Sequence, residues 1–231
     1  MRNNNTTTTL QMIRKAALAT LLCALCSTTA FAEYEPNDNY STLVLSYQSS
    51  RFAEPACITT GSGIECHEGV SGPAVVYARQ IISNLAPGVS GSYLQSSGNI
   101  PSIKSTNGAV FAQGIAGLGS SVDVGASVAL LSSTMELCAN TPSVCSSSSD
   151  TGRDLGVFGK VFLNNAKSVS TTLGYNHISF QKSESQSIVT LSLVTILAKR
   201  HRLAFSVDRS VNASGTSVSG GYGFGYSYMV F

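Results

Sequence analysis

The chain ends Gly220-Gly221-Tyr222-Gly223-Phe224-Gly225-Tyr226-Ser227-Tyr228-Met229-Val230-Phe231. Tyr222, Phe224, Tyr226, Tyr228 and Val230 fall on one face of an extended strand, and Gly221, Gly223, Gly225, Ser227 and Met229 on the other. The period is two because successive strand side chains point to opposite faces. A soluble core strand seldom sets an aromatic row against a glycine row. A strand with lipid on one side and a crowded barrel interior on the other has a use for both.

The same alternation recurs upstream. Leu43, Leu45 and Tyr47 share a face in a first strand at 40–48; further strands read at 72–82, 89–95 and 107–116. Val122, Val124, Ala126, Val128 and Leu130 then alternate with Asp123, Gly125, Ser127 and Ala129, followed by strands over 155–163, 169–175, 189–197 and 203–207. With the closing strand the number is ten, and it is even. The fold class is therefore all-β: an up-and-down antiparallel transmembrane β-barrel of ten strands. One segment also reads as a helix: Pro73 to Leu85 places Val75, Ala78, Ile82 and Leu85 on one face. A helix there would reduce the barrel to eight strands. A turn at Asn84-Leu85-Ala86-Pro87-Gly88 favours ten. Longer polar connections follow the odd-numbered strands, above all Ser49–Ser71 and Ser132–Arg153, which read as loops. Outer-membrane barrels have long extracellular loops and short periplasmic turns. This pattern predicts periplasmic termini.

The closing dozen residues resemble those of bacterial outer-membrane β-barrels, of the small OmpA-like or opacity-type class, which end in a C-terminal Phe. The resemblance implies that the barrel-assembly machinery reads Tyr226, Tyr228 and Phe231. This chain departs from the pattern at Met229, where an aromatic is usual; a bulge would bring Tyr228 into register. The resemblance also brings two enzyme classes into view: ten-strand proteases using Asp and His at the rim, and acyltransferases or lipases using Ser and His.

The start of the chain fits the same compartment. Arg14 and Lys15 precede an apolar run of 11 residues, Ala16–Cys26, followed by Ala30-Phe31-Ala32. This is a secretory signal peptide, with a run too short to span a bilayer. Residues 1–32 are the signal and 33–231 the barrel domain; Met12 is an alternative start. Neither Cys23 nor Cys26 follows the small residue that lipoprotein processing needs. The signal removes three basic residues, so the mature formal charge is 11 − 12 = −1. That balance gives no basis for nucleic-acid binding. Charged residues make up 11%, against about 25% in soluble domains, yet the mature chain has no long apolar run. A closed barrel crosses a membrane under those terms because it satisfies every backbone group between strands.

Four cysteines remain: Cys57, Cys66, Cys138 and Cys145. They fall in two close pairs, and an oxidising compartment favours local disulfides in the predicted extracellular loops. Zinc is the rival reading, invited by His67 beside Cys66, but neither pair has C-x-x-C spacing.

Other candidates are few. Asp123 and Lys160 fall inward on adjacent strands, roughly diagonal to each other, and form a candidate lumen charge pair. Arg79 and Arg209 share faces with apolar residues near strand ends, where they snorkel to headgroups. His67, His177 and His201 read as solvated or interfacial residues, with His201 in a periplasmic turn. No phosphate loop, catalytic serine motif or metal-ligand spacing appears, and no cofactor is expected. The expected function is a non-enzymatic outer-membrane protein. Its partners would be lipid, the assembly machinery and extracellular surface ligands. A narrow channel or small-ligand transporter is the runner-up, and a membrane-embedded hydrolase or acyltransferase comes third.

Overall fold

The computed structural model describes residues 41–60, 63–82, 84–97, 102–118, 121–138, 145–198, 200–212 and 217–229. The expected signal peptide and Phe231 lie outside the described residues. Ten strands follow one another: β1 (Ser41–Thr60), β2 (Gly63–Arg79), β3 (Leu85–Gln95), β4 (Ser102–Gly117), β5 (Val122–Cys138), β6 (Cys145–Phe162), β7 (Val169–Phe180), β8 (Gln186–Ala198), β9 (His201–Asn212) and β10 (Ser217–Met229). Each pairs antiparallel with its sequence neighbour, and β10 closes on β1. No sheet edge is left along the wall.

The closing register is unbroken from Phe52↔Ser219 to Thr42↔Met229. Among the described residues there is thus no bulge up to Met229, and Tyr228 continues the outward aromatic row. Pro73 to Arg79 is strand rather than helix, so ten strands stand. The turn before β3 lies earlier than Pro87-Gly88: Leu85 N–H donates to the Ile82 carbonyl at 3.2 Å, and β3 begins at Leu85. Pro87 is tolerated within β3 because the described ladder with β2 starts at Ala78↔Gly88. A missing N–H does least harm where a ladder ends.

Following paired residues once round the barrel gives its stagger. From Phe162 the path runs through Ser170, Val194, Ala204, Gly225, Ser46, Ala74, Ser92, Asn107 and Ser133 to Asp150. That is 162 − 150 = 12 residues higher on the same strand. At about 3.3 Å per residue and 4.8 Å per strand, the strands tilt by about 40° and the backbone cylinder is about 20 Å across.

The two faces separate by chemistry. Leu130 is 67% exposed and Leu155 56%, whereas inward-facing Leu94 and Ile178 are fully buried. Exposed apolar side chains run from Leu163 and Leu197 at one end to Tyr93 and Tyr222 towards the other. On this tilt they form a band about 25 Å tall, the height expected of a lipid-facing belt. A continuous apolar belt needs an apolar solvent or a partner.

In the segments read as long loops, the described residues are strand. β1 and β2 remain paired to Thr60↔Gly63, and β5 and β6 to Cys138↔Cys145. These hairpins rise about 20 Å beyond the belt on the strand rise and tilt above.

Candidate functional site

The projecting hairpins and the lumen beneath them hold most of the residues singled out by the sequence. In the β1–β2 ribbon, pairing shifts between Arg51↔Gly69 and Ala56↔His67, so residues 52–55 of β1 face only residue 68 of β2. This bulge contains Pro55, which donates no N–H. Above it the ribbon has lost its outer neighbours: the last described pair with β10 is Phe52↔Ser219, and with β3 it is Ser71↔Gln95. An isolated two-stranded ribbon is marginal in water. The Cys57–Cys66 disulfide staples it, joining Cα partners 3.9 Å apart. Cys138–Cys145 joins partners 4.1 Å apart on β5 and β6, and there β4 still backs β5 through Ser102↔Cys138. Both local pairings read from the sequence are thus present. Glu136, Cys138 and Cys145 are the only described group with metal-ligand proximity. The two thiols are bonded to each other, which removes zinc as a reading there.

Above β7, the upper part of β6 has a latch that the sequence did not reveal. The Asp150 carboxylate accepts hydrogen bonds from the Lys182 backbone N–H at 3.2 and 3.3 Å, the Ser183 hydroxyl at 2.8 Å and the Thr151 N–H at 2.8 Å. Lys182 Nζ donates to the Ser149 carbonyl at 2.8 Å. The β7–β8 connection is thereby folded against an otherwise free edge, a usual way of blunting one. A lone Asp in a serine run carries no sequence signal for this role.

Inside the barrel the upper lumen holds an apolar cluster. Leu94, Ile103, Met135, Ile178 and Ile188 belong to one buried cluster, with Phe52, Leu137 and Phe180 packed against it. A polar network shares this level: Asn107 Oδ1 accepts from Ser133 Oγ at 2.7 Å, and Asn107 Nδ2 donates to Ser92 Oγ at 3.1 Å. Lower down, β8, β9 and β1 present a polar wall. Thr190 pairs with Asp208, and Ser192 with Ser206. Gln48 stands one strand beyond, across Gly223. The Gln48 amide and the hydroxyls of Thr190, Ser192 and Ser206 are buried without a hydrogen-bond partner. The glycine row of β10 makes room here. A Cβ on Gly221 would lie 2.8 Å from Asp208 Oδ1, and one on Gly223 3.0 Å from Ser206 Oγ.

Asp123 and Lys160 are both buried and are direct Cα partners, opposed rather than diagonal. Lys160 Nζ also lies 4.6 Å from the centre of the Phe162 ring.

The histidines part company. His67 is buried, not solvated, and its Nε2 has no hydrogen-bond partner. His177 is exposed at the upper edge of the belt, with Nδ1 3.3 Å from Ser187 Oγ, which also meets Tyr175 Oη at 2.9 Å. His201 opens β9 rather than lying in a turn, and its Nδ1 meets the Tyr226 hydroxyl. Its ring also lies 5.4 Å from that of Tyr228. Tyr226 and Tyr228 therefore form part of the lower aromatic girdle. Arg79, Arg153 and Arg209 are exposed; Arg79 ends β2.

No protein-family model matches the chain, and no curated protein matches it in sequence. Solved structures do. The translocator domain of the autotransporter NalP from Neisseria meningitidis is 12% identical, with 98% of each chain covered and a TM-score of 0.50. Neisserial surface protein A is 10% identical over 82% of this chain and 97% of that one, with a TM-score of 0.44. The β domain of the Bordetella autotransporter BrkA is 10% identical over 82% of this chain and all of that one, with a TM-score of 0.45. What the first of these likenesses shows is the fold, a closed β-barrel.

Proposed function

We propose that this chain is an integral outer-membrane protein that holds two disulfide-stapled hairpins on the cell surface for contact with extracellular ligands. The barrel is its anchor and not an enzyme. One contrast supports the reading: the upper lumen is filled by Leu94, Ile103, Met135, Ile178 and Ile188, while the hairpins above it are built tall and covalently closed. Function in barrels is carried by such outer segments. Outer-membrane lipid covers the belt, and the assembly machinery reads the closing strand. Asp123 and Lys160 act as a structural pair at the periplasmic end. Changing either alone then costs more than changing both, since one buried charge is left behind.

The buried polar wall around Gln48, Thr190 and Ser206 favours a second reading, a narrow solute path. Planar-bilayer recording of refolded protein separates the two. The surface role predicts no stepwise conductance from the wild type. It also predicts loss of surface binding when residues 52–67 are replaced by a Gly-Ser linker while barrel levels hold. Reproducible conductance steps that Gln48→Leu abolishes would replace the anchor reading with the channel.

A further inference from the structure

The polar wall of β8, β9 and β1 encloses a charge that its own residues do not answer. Asp208 lies on the inward row of β9, and its Oδ2 is buried with no hydrogen-bond partner. Its Cα partner on β8 is Thr190, and on β10 it is Gly221. Two residues lower, Ser206 pairs with Ser192 on one side and Gly223 on the other, and Gly223 in turn pairs with Gln48. Side chains from both flanks lean over the two glycines. A Cβ built on Gly221 would lie 2.8 and 3.1 Å from the two Asp208 carboxylate oxygens. One on Gly223 would lie 3.0 Å from Ser206 Oγ and 3.9 Å from Gln48 Cγ. The missing β-carbons leave a cradle walled by a carboxylate, hydroxyls and an amide.

Gln48, Thr190, Ser192 and Ser206 are each at most 2% exposed, and the Gln48 amide and the three hydroxyls have no hydrogen-bond partner. Among the described residues, the inward positions of β8, β10 and β1 carry no basic side chain. On β9 the inward cation is Arg202, 208 − 202 = 6 residues below Asp208, or about 20 Å along the strand. Lys160 stands opposite Asp123 instead. Polar groups stranded together in this way call for water or an ion. Water satisfies the hydroxyls but leaves the carboxylate charge uncompensated in a low-dielectric interior. A cation answers both. One carboxylate among neutral oxygens balances a single charge, and neutral oxygens replace the hydration shell of a monovalent ion in the way a ring of carbonyls does. Divalent sites draw their strength from several carboxylates. Ile188, two residues above Thr190 on the same inward row, closes the cradle against the apolar cluster. Below it, Gly225 and Ser227 keep the inward row of β10 small.

We propose that the cradle over Gly221 and Gly223 binds one hard monovalent cation, sodium or potassium, through the Asp208 carboxylate and the side-chain oxygens of Thr190, Ser206 and Gln48. The ion compensates the buried charge and ties β8, β9 and β1 together across the stretch of β10 that has no side chains. The site needs only the closed barrel, whatever the hairpins contact, and whether the lumen also conducts is decided by the bilayer recording above.

The test uses the refolded full barrel in a neutral detergent at constant ionic strength, with choline replaced stepwise by sodium and, in a parallel series, by potassium. The urea midpoint of the heat-modifiable gel band reports stability, and the sodium-23 NMR line width reports bound ion. The wild-type midpoint should rise with sodium or potassium, as for any ligand that binds only the folded state, and the sodium line should broaden beyond that of the detergent alone. Asp208→Asn, which keeps the shape and removes the charge, should lose both responses. Thr190→Val should keep them with half-saturation moved upward by about tenfold, the scale of one weakened ligand. Glu65→Gln, on a hairpin, should match the wild type. A wild-type midpoint indifferent to both ions, or an undiminished response in folded Asp208→Asn, would overturn the site while leaving the barrel reading intact. A rise with calcium chloride and none with sodium or potassium would overturn it too, because the site would then be divalent. If Asp208→Asn fails to fold, Thr190→Val decides alone: unchanged half-saturation would overturn the proposal. Failure of the wild type itself to give a folded band would overturn the barrel reading together with the ion site.

Discussion

Strands β7 to β10 run 12 or 13 residues and end near the upper edge of the apolar belt, whereas β1 and β2 run 20 and 17 and continue well above it. Both regions are antiparallel sheet with the same ladder. They differ in what surrounds them. In the wall each strand has a neighbour on both sides, an apolar solvent outside and packed side chains inside. In the ribbon above the bulge each strand has one neighbour and water on its outer face, with only Ala56, Ile58 and His67 turned to buried surroundings among the described side chains there. The wall needs no covalent help; the ribbon carries a disulfide. Stability in this molecule is therefore local, and each region should fail in its own way.

The largest effect is expected in the wall, where backbone is packed against backbone. A Cβ on Gly72 would lie 2.1 Å from the Tyr93 carbonyl oxygen, with no flexible side chain to give way. Gly72→Ala should cost about 3 kcal/mol or more, at the upper end of overpacking penalties, and shift the urea midpoint of the folded gel band strongly. Gly225→Ala meets nothing nearer than Ser46 Cβ at 3.4 Å and should cost under about 1 kcal/mol. Equal losses would mean that the lumen is less tightly built than the register implies.

The staples come next. Cys57→Ser/Cys66→Ser should raise hydrogen exchange at 56–67 by an amount equal to about 2.5 kcal/mol of lost loop constraint, with the barrel's unfolding midpoint unchanged. Cys138→Ser/Cys145→Ser should loosen its hairpin less, because β4 still pairs with β5 as far as Cys138. Concerted melting of barrel and ribbon would break the comparison. Of comparable size, but confined to one connection, is the Asp150 latch. Asp150→Ala should expose the 181–185 connection to proteases at a cost of about 1.5–3 kcal/mol locally, leaving the rest of the barrel protected.

This division also explains what was legible. Period-two hydropathy appears only where one face meets an apolar phase and the other does not. Leu43, Leu45 and Tyr47 announced β1, and Tyr222 to Tyr228 announced β10, because lipid would lie on one side of each. Beyond Ser49 the outward face of the hairpin meets water instead of lipid, and the buried positions include Ser50 and His67 as well as Ala56 and Val70, so apolar side chains no longer mark one face. The alternation vanishes there, although the backbone stays paired as far as Thr60, and strand reads as loop. The cysteines kept a trace of that hidden pairing, since direct cross-strand partners must lie near each other in a hairpin. Asp150 and the buried state of His67 left none. A hydrogen-bond hub and a bulge at 52–55 depend on register, and register is set by the neighbours on either side.

The account's central claim is that a lipid-facing belt ends well below the tips of two water-exposed hairpins. Spin labels placed at Leu130→Cys, Leu155→Cys and Phe224→Cys in the belt, and at Ile64→Cys and Ser147→Cys on the hairpins, test it in bilayers. The measurement is power saturation against oxygen, which concentrates in lipid, and against a water-soluble nickel chelate. Oxygen should dominate at the first three positions and nickel at the last two. Nickel access at Leu130 or Leu155 equal to that at Ile64 would contradict the account, because no belt would then be meeting lipid.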